Sequence, residues 1–148
     1  MKTYKLAIKG HDHIVIKSSP SAKLSIPYSV AAALILGQAG LEAFDEKTVT
    51  RQDILELASK VAVEEAPCPT TLPPDARYAT VVVTAKNGEE FSYSVDCAKG
   101  APENPMSHED MTDKIQSLLA YAECDGELAG QCLALLGNGI DMGLLQSL

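Results

Sequence analysis

Tyr28 is the residue whose setting comes closest to chemistry. It follows Pro27 at the start of an apolar run that continues to Leu36. A phenol at the positive end of a helix can donate a hydrogen bond to an anionic substrate. The same residue also suits a core, where tyrosine packs its ring. His11-Asp12-His13 is the second candidate. In an extended segment its two imidazoles point the same way, a spacing that can chelate zinc or nickel. No third ligand is identifiable, so the triplet reads as an exposed polar turn. His108 follows Ser107 and reads as an ordinary polar residue in the first turn of a helix. Glu64-Glu65 and Glu89-Glu90 read as solvated strand ends, because neither pair offers carboxylates converging on one point.

The four cysteines, Cys68, Cys97, Cys124 and Cys132, are spaced by 29, 27 and 8 residues. That matches no zinc or iron–sulfur pattern and reads as reduced thiols in a cytoplasmic protein. There is no nucleophile elbow, no P-loop and no GxGxxG. The net charge of −8 repels phosphate backbones and anionic lipid, so neither nucleic acid nor a membrane surface is an expected partner. No apolar stretch reaches the roughly 20 residues of a membrane span.

Elements must position these residues. At 46% hydrophobic and 148 residues, the chain can bury a real core and fits one domain, 1–148. Residues 3–9 and 13–17 read as extended, and Ser18-Ser19-Pro20-Ser21 as a turn or linker. A helix follows, with Ser25 as N-cap, Pro27 in its first turn and Gly37 as the left-handed stop. After Ser29 it has almost no polar face, so it needs cover all round. Leu41 to Phe44 reads as a short turn or loose helical stretch. Thr50 is the expected cap of a second helix carrying Ile54, Leu55, Leu57 and Ala58, and Val61-Ala62-Val63 then turns extended. The loop at 66–76 holds four prolines. A hairpin spans Arg77–Lys86 and Glu89–Cys97, joined by Asn87-Gly88 as a type I′ pair. Ser107 opens a third helix through a capping-box pattern, with Met111, Ile115, Leu118, Leu119 and Ala122 in helical spacing. A fourth is expected from about Glu127 to Leu136. A hairpin with helices on both sides, lacking regular strand–helix alternation, gives an α+β fold.

The segment Lys23-Leu24-Ser25-Ile26-Pro27-Tyr28-Ser29-Val30-Ala31-Ala32-Ala33-Leu34 resembles one in the MmgE/PrpD family. Leu24 stands where that family usually has Phe. Gly37 to Phe44, the Asn-Gly hairpin and the entry Pro102 to Ser107 continue the resemblance in order. It implies the small C-terminal α+β domain of enzymes such as 2-methylcitrate dehydratase, cis-aconitate decarboxylase and iminodisuccinate epimerase. In those enzymes a large helical domain precedes this region and carries most catalytic residues, and the site lies between the two.

The resemblance therefore implies Tyr28 as the catalytic contribution of this chain, with Lys23 and Ser25 beside it for substrate binding. It implies chemistry without metal or cofactor. The expected function is that of the C-terminal domain or small subunit of a lyase or isomerase for a small di- or tricarboxylate. Such a chain is inactive alone and works with a helical domain, in cis or as a separate subunit, in a family that tends to form homodimers. The competing expectation is a non-catalytic binding or oligomerisation module that keeps the fold.

Overall fold

The computed structural model describes residues 10–64, 69, 71, 72, 78–124, 126–128, 130, 131 and 134. They fall into two compact units, Met1–Ala98 and Lys99–Leu148. Among them, helices combine with a two-stranded antiparallel sheet, so the fold is α+β.

In the first unit the helical part comes first. Helix α1 is Ser19–Lys23. Ser18 caps it and forms a reciprocal capping box with Ser21, while Pro20 sits at its start. The stretch expected as a linker is therefore a helix, because Ser, Pro and Ser at these positions satisfy its first N–H groups. Residues 13–17, expected to be extended, join no strand.

Helix α2, Ile26–Leu36, has the predicted punctuation. The Ser25 hydroxyl accepts from the Tyr28 N–H, and Gly37 takes φ 76°. Its inner face buries Pro27, Tyr28, Ala31 and Ala32. The outer face is only partly covered, with Leu34 48% exposed. A 3₁₀ turn, Leu41–Phe44, follows and buries Ala43.

Helix α3, Gln52–Ala58, packs on α2 through Ile54 and Ala58. Alanines 31, 32 and 58 leave room for close approach, and Ile54 fills the space between. The expected Thr50 cap does not form. Thr50 Oγ1 donates back to the Glu46 and Lys47 carbonyls. Arg51 occupies the cap position without a capping side-chain bond. The Asp53 carboxylate instead accepts from the Ile54 N–H and pairs with Arg51 at 2.6 Å. Both partners are exposed, so that pair adds little stability. Residues 61–64 form no strand.

The hairpin is β1, Ala79–Thr84, against β2, Glu90–Val95. Its register sets Ala79 opposite Val95, Val81 opposite Tyr93 and Val83 opposite Phe91. Val81, Val83, Phe91, Tyr93 and Val95 therefore share one face, while Val82 lies on the other, opposite Ser92. That register requires a three-residue loop, Lys86-Asn87-Gly88, and not the two-residue type I′ turn expected. Ala85 N–H donates to the Glu89 carbonyl, and Gly88 N–H to Ala85. Gly88 alone in this loop has positive φ, at 85°. A two-residue loop would shift the pairing by one and move Val81 and Val83 from Tyr93 and Phe91 onto Ser94 and Ser92.

The second unit contains α4, His108–Tyr121, with the predicted capping box between Ser107 and Asp110. Lys99 reaches the Asp110 carboxylate at 2.7 Å. Those bonds, from Lys99 first and Ser107 next, hold the Asp110 carboxyl down from 3.8 to about 2. A lowered carboxyl stabilises the fold above its unfolded value and loses that effect as pH falls through the folded one. Acid titration followed by circular dichroism is thus expected to lose helical signal as pH falls from about 3.8 to about 2. Asp110→Asn should lessen that dependence, since the Asp53 carboxyl, held low by its bond to Arg51, contributes in the same direction. The described residues between 126 and 134 are helical. The rest of that expected helix, the tail 140–148 and the expected extended segment 3–9 lie outside the described residues.

Candidate functional site

The polar groups around the start of α2 divide into spent and available ones. Ile26 N–H donates to the His11 carbonyl at 2.8 Å, and Ser29 N–H to the Ser25 carbonyl. Tyr28 N–H donates to Ser25 Oγ, and Pro27 has no N–H. The first turn therefore offers no free backbone donor to an anion, although the helix dipole remains.

Ser25 is 1% exposed. Besides capping α2, its hydroxyl donates to the His13 carbonyl at 2.6 Å. Tyr28 is 0% exposed. Its hydroxyl donates to the Ala43 carbonyl at 2.6 Å, and its ring meets Phe44 with centroids 5.9 Å apart. Burial pushes the phenol pKa above its ordinary value, with the charge of Arg51 pulling weakly the other way. The Tyr28 phenol is neutral at physiological pH and ties α2 to the 3₁₀ turn.

Next to this buried face lies an open groove of about 270 Å³. His11, Lys23, Ser25 and Ser29 supply its polar lining, and Leu24, Ile26 and Val30 its apolar lining. Ser29 Oγ is bonded to the Ser25 carbonyl. Lys23 is exposed and forms no ion pair among the described residues. Of the three residues singled out from the sequence, Lys23 and Ser25 share this groove and Tyr28 does not line it.

The expected exposed turn holds in part, with a turn at Gly10-His11 and Asp12 exposed, but the two imidazoles are held more closely. His11 and His13 are half-buried, and their rings meet the Leu24, Gly10 and Ser21 carbonyls. Among the described residues no group of three or more His, Cys, Asp or Glu side chains is placed to hold a metal. Sequence reading missed His11 as a groove residue. Its contact to Leu24 spans 13 positions, and no local pattern signals it. His108 and the Glu89-Glu90 pair are exposed. Among the described residues no helix is long and apolar enough to cross a membrane.

Comparison with known proteins bears directly on this arrangement. Residues 1–129 match the model of the MmgE/PrpD C-terminal domain. The chain is 30% identical over 109 residues to cis-aconitate decarboxylase of Mus musculus, covering 72% of this chain and 22% of that protein. It is 32% identical over 101 residues to cis-aconitate decarboxylase of Homo sapiens, covering 68% of this chain and 21% of that protein. The matched stretch thus spans about a fifth of these relatives' length. With that match running through α1, α2, the groove and the hairpin, the chain belongs to the MmgE/PrpD family as its C-terminal domain.

Proposed function

We propose that residues 1–148 act as one domain, the C-terminal part of a lyase or isomerase that acts on a small di- or tricarboxylate. The chain supplies one wall of the site and has no activity alone. A helical MmgE/PrpD domain, in cis or as a separate subunit, supplies the rest. The observation that carries this reading is the match of residues 1–129 to a C-terminal domain whose relatives are decarboxylases of a tricarboxylate. The uncovered outer face of α2, with Leu34 and the nearby Leu24 exposed, fits a covering domain. A cytoplasmic setting and a homodimer complete the reading.

In this reading Lys23 binds a substrate carboxylate, since its ammonium has no competing acidic partner among the described residues. Ser25 serves the site by holding the groove in shape. Tyr28 provides a proton-bearing donor whose hydroxyl exchanges the Ala43 carbonyl for substrate.

Lys23→Ala in the assembled enzyme tests the assignment. A charge-assisted hydrogen bond contributes about 1.5–3 kcal/mol, so KM should rise roughly 10–100-fold. Melting temperature should stay unchanged, because the side chain is exposed. An unchanged KM would remove Lys23 from the site. The alternative of a non-catalytic module predicts no turnover with any helical partner.

A further inference from the structure

We propose that His11 is a second ligand-contacting residue of the Lys23 groove, presenting Nε2 to the bound carboxylate molecule. This rests on the reading of that groove as the substrate wall. His11 Nδ1 lies 2.7 Å from the Leu24 carbonyl oxygen. A carbonyl oxygen only accepts, so Nδ1 carries a proton in this bond. Nε2 is then the nitrogen left to face a ligand, and toward a carboxylate, which only accepts, it acts as an N–H donor in the doubly protonated ring. That nitrogen has no hydrogen-bond partner among the described residues, and His11 lines the groove beside Lys23.

The main chain of His11 is fixed as well, since its carbonyl accepts from Ile26 N–H at 2.8 Å. Ring and backbone are therefore both anchored to the junction that carries Lys23. This gives the rigid support a recognition residue needs. His13 differs. Its Nδ1 faces the Gly10 carbonyl and its Nε2 the Ser21 carbonyl, each at 3.0 Å. Both nitrogens are engaged, so His13 has none left for a ligand. The chain's net charge of −8 makes an anion-attracting pair at this place a local exception. Lys23 takes a carboxylate, and His11 fixes the orientation of the molecule relative to it.

The test uses tricarballylate, an unreactive tricarboxylate, titrated at millimolar concentration into the full chain. Imidazole nitrogen resonances report on each histidine. Binding should move His11 Nε2 and leave His13 in place. His11→Asn keeps a side-chain N–H where Nδ1 donates to Leu24 but removes Nε2. It should retain the fold and weaken binding roughly 10–100-fold, the size of one charge-assisted hydrogen bond. His11→Ala should weaken binding and also loosen the segment around Gly10. Wild-type affinity in His11→Asn, with binding lost in Lys23→Ala, would overturn the role of His11 and leave the groove reading standing. Absence of tricarballylate binding by the wild-type chain, or binding indifferent to both substitutions, would overturn both.

Discussion

Tyr28→Phe in the assembled enzyme is expected to lower kcat by about 100-fold or more, the size typical of losing one preorganised donor in a closed site. Phenylalanine keeps the ring that packs against Phe44 and removes only the oxygen. Burial raises the phenol's pKa, so the group holds its proton through the physiological range. It can thus donate without first being charged. Its present acceptor is the Ala43 carbonyl, in a 3₁₀ turn of four residues whose Leu41 and Glu42 are exposed. Stability should fall by only about 1–3 kcal/mol, the cost of leaving that carbonyl without its donor. Kinetics and melting therefore separate two roles. A large loss of kcat at modest loss of stability makes Tyr28 catalytic. A stability loss with unchanged kcat makes it purely a clamp between α2 and the turn.

Ile54→Ala is expected to destabilise the chain by about 2–5 kcal/mol, as large-to-small core substitutions do. Ile54 is fully buried, and with Tyr28, Pro27 and Ser25 it ranks among the largest fully buried side chains. Around it stand alanines at 22, 31, 32, 43 and 58, which are too short to move into the space it would vacate. A domain of ordinary stability has about 5–15 kcal/mol to lose. The variant should show a clear drop in urea midpoint with little change in slope. Tricarballylate binding under native conditions should persist, because Ile54 does not line the groove. A change under about 0.5 kcal/mol, the range of surface substitutions, would show that the α2–α3 contact is not the stabilising centre of this unit.

The parts of the fold legible in the sequence are those set by local chemistry. Ser25, Pro27 and Gly37 mark α2 because cap, first turn and left-handed stop each use a neighbouring residue. Ser107 and Asp110 mark α4 in the same way. Thr50 misled because its hydroxyl had nearer acceptors in the preceding turn, the Glu46 and Lys47 carbonyls. Asn87-Gly88 misled because the cross-strand match of Val81 with Tyr93 and Val83 with Phe91 overrides the preference of a dipeptide. Lys23 and Ser25 were legible as neighbours, and the resemblance named them. Only the fold shows that Ser25 is spent on α2 and on His13 while Lys23 is open. His11 was legible as a residue type but not as a groove residue, since Leu24 and Ile26 meet it across more than a dozen positions.

The cover that α2 requires is also only half answered within this chain. Ala31, Ala32 and Tyr28 are covered from inside by α3 and the 3₁₀ turn, whereas Leu34 remains half exposed. Phe91 and Tyr93 of β2 are likewise open, at 55% and 74%. Apolar area of this kind is consistent with a domain that works against a larger partner.

The most direct measurement is turnover of cis-aconitate and other small di- and tricarboxylates by the chain alone and by the chain joined to a helical MmgE/PrpD domain. The account predicts no turnover alone and clear turnover in the joined form, with Lys23→Ala raising KM there. Turnover by the isolated chain at a rate equal to the joined form would contradict it, as would a joined form that binds tightly yet converts none of these acids.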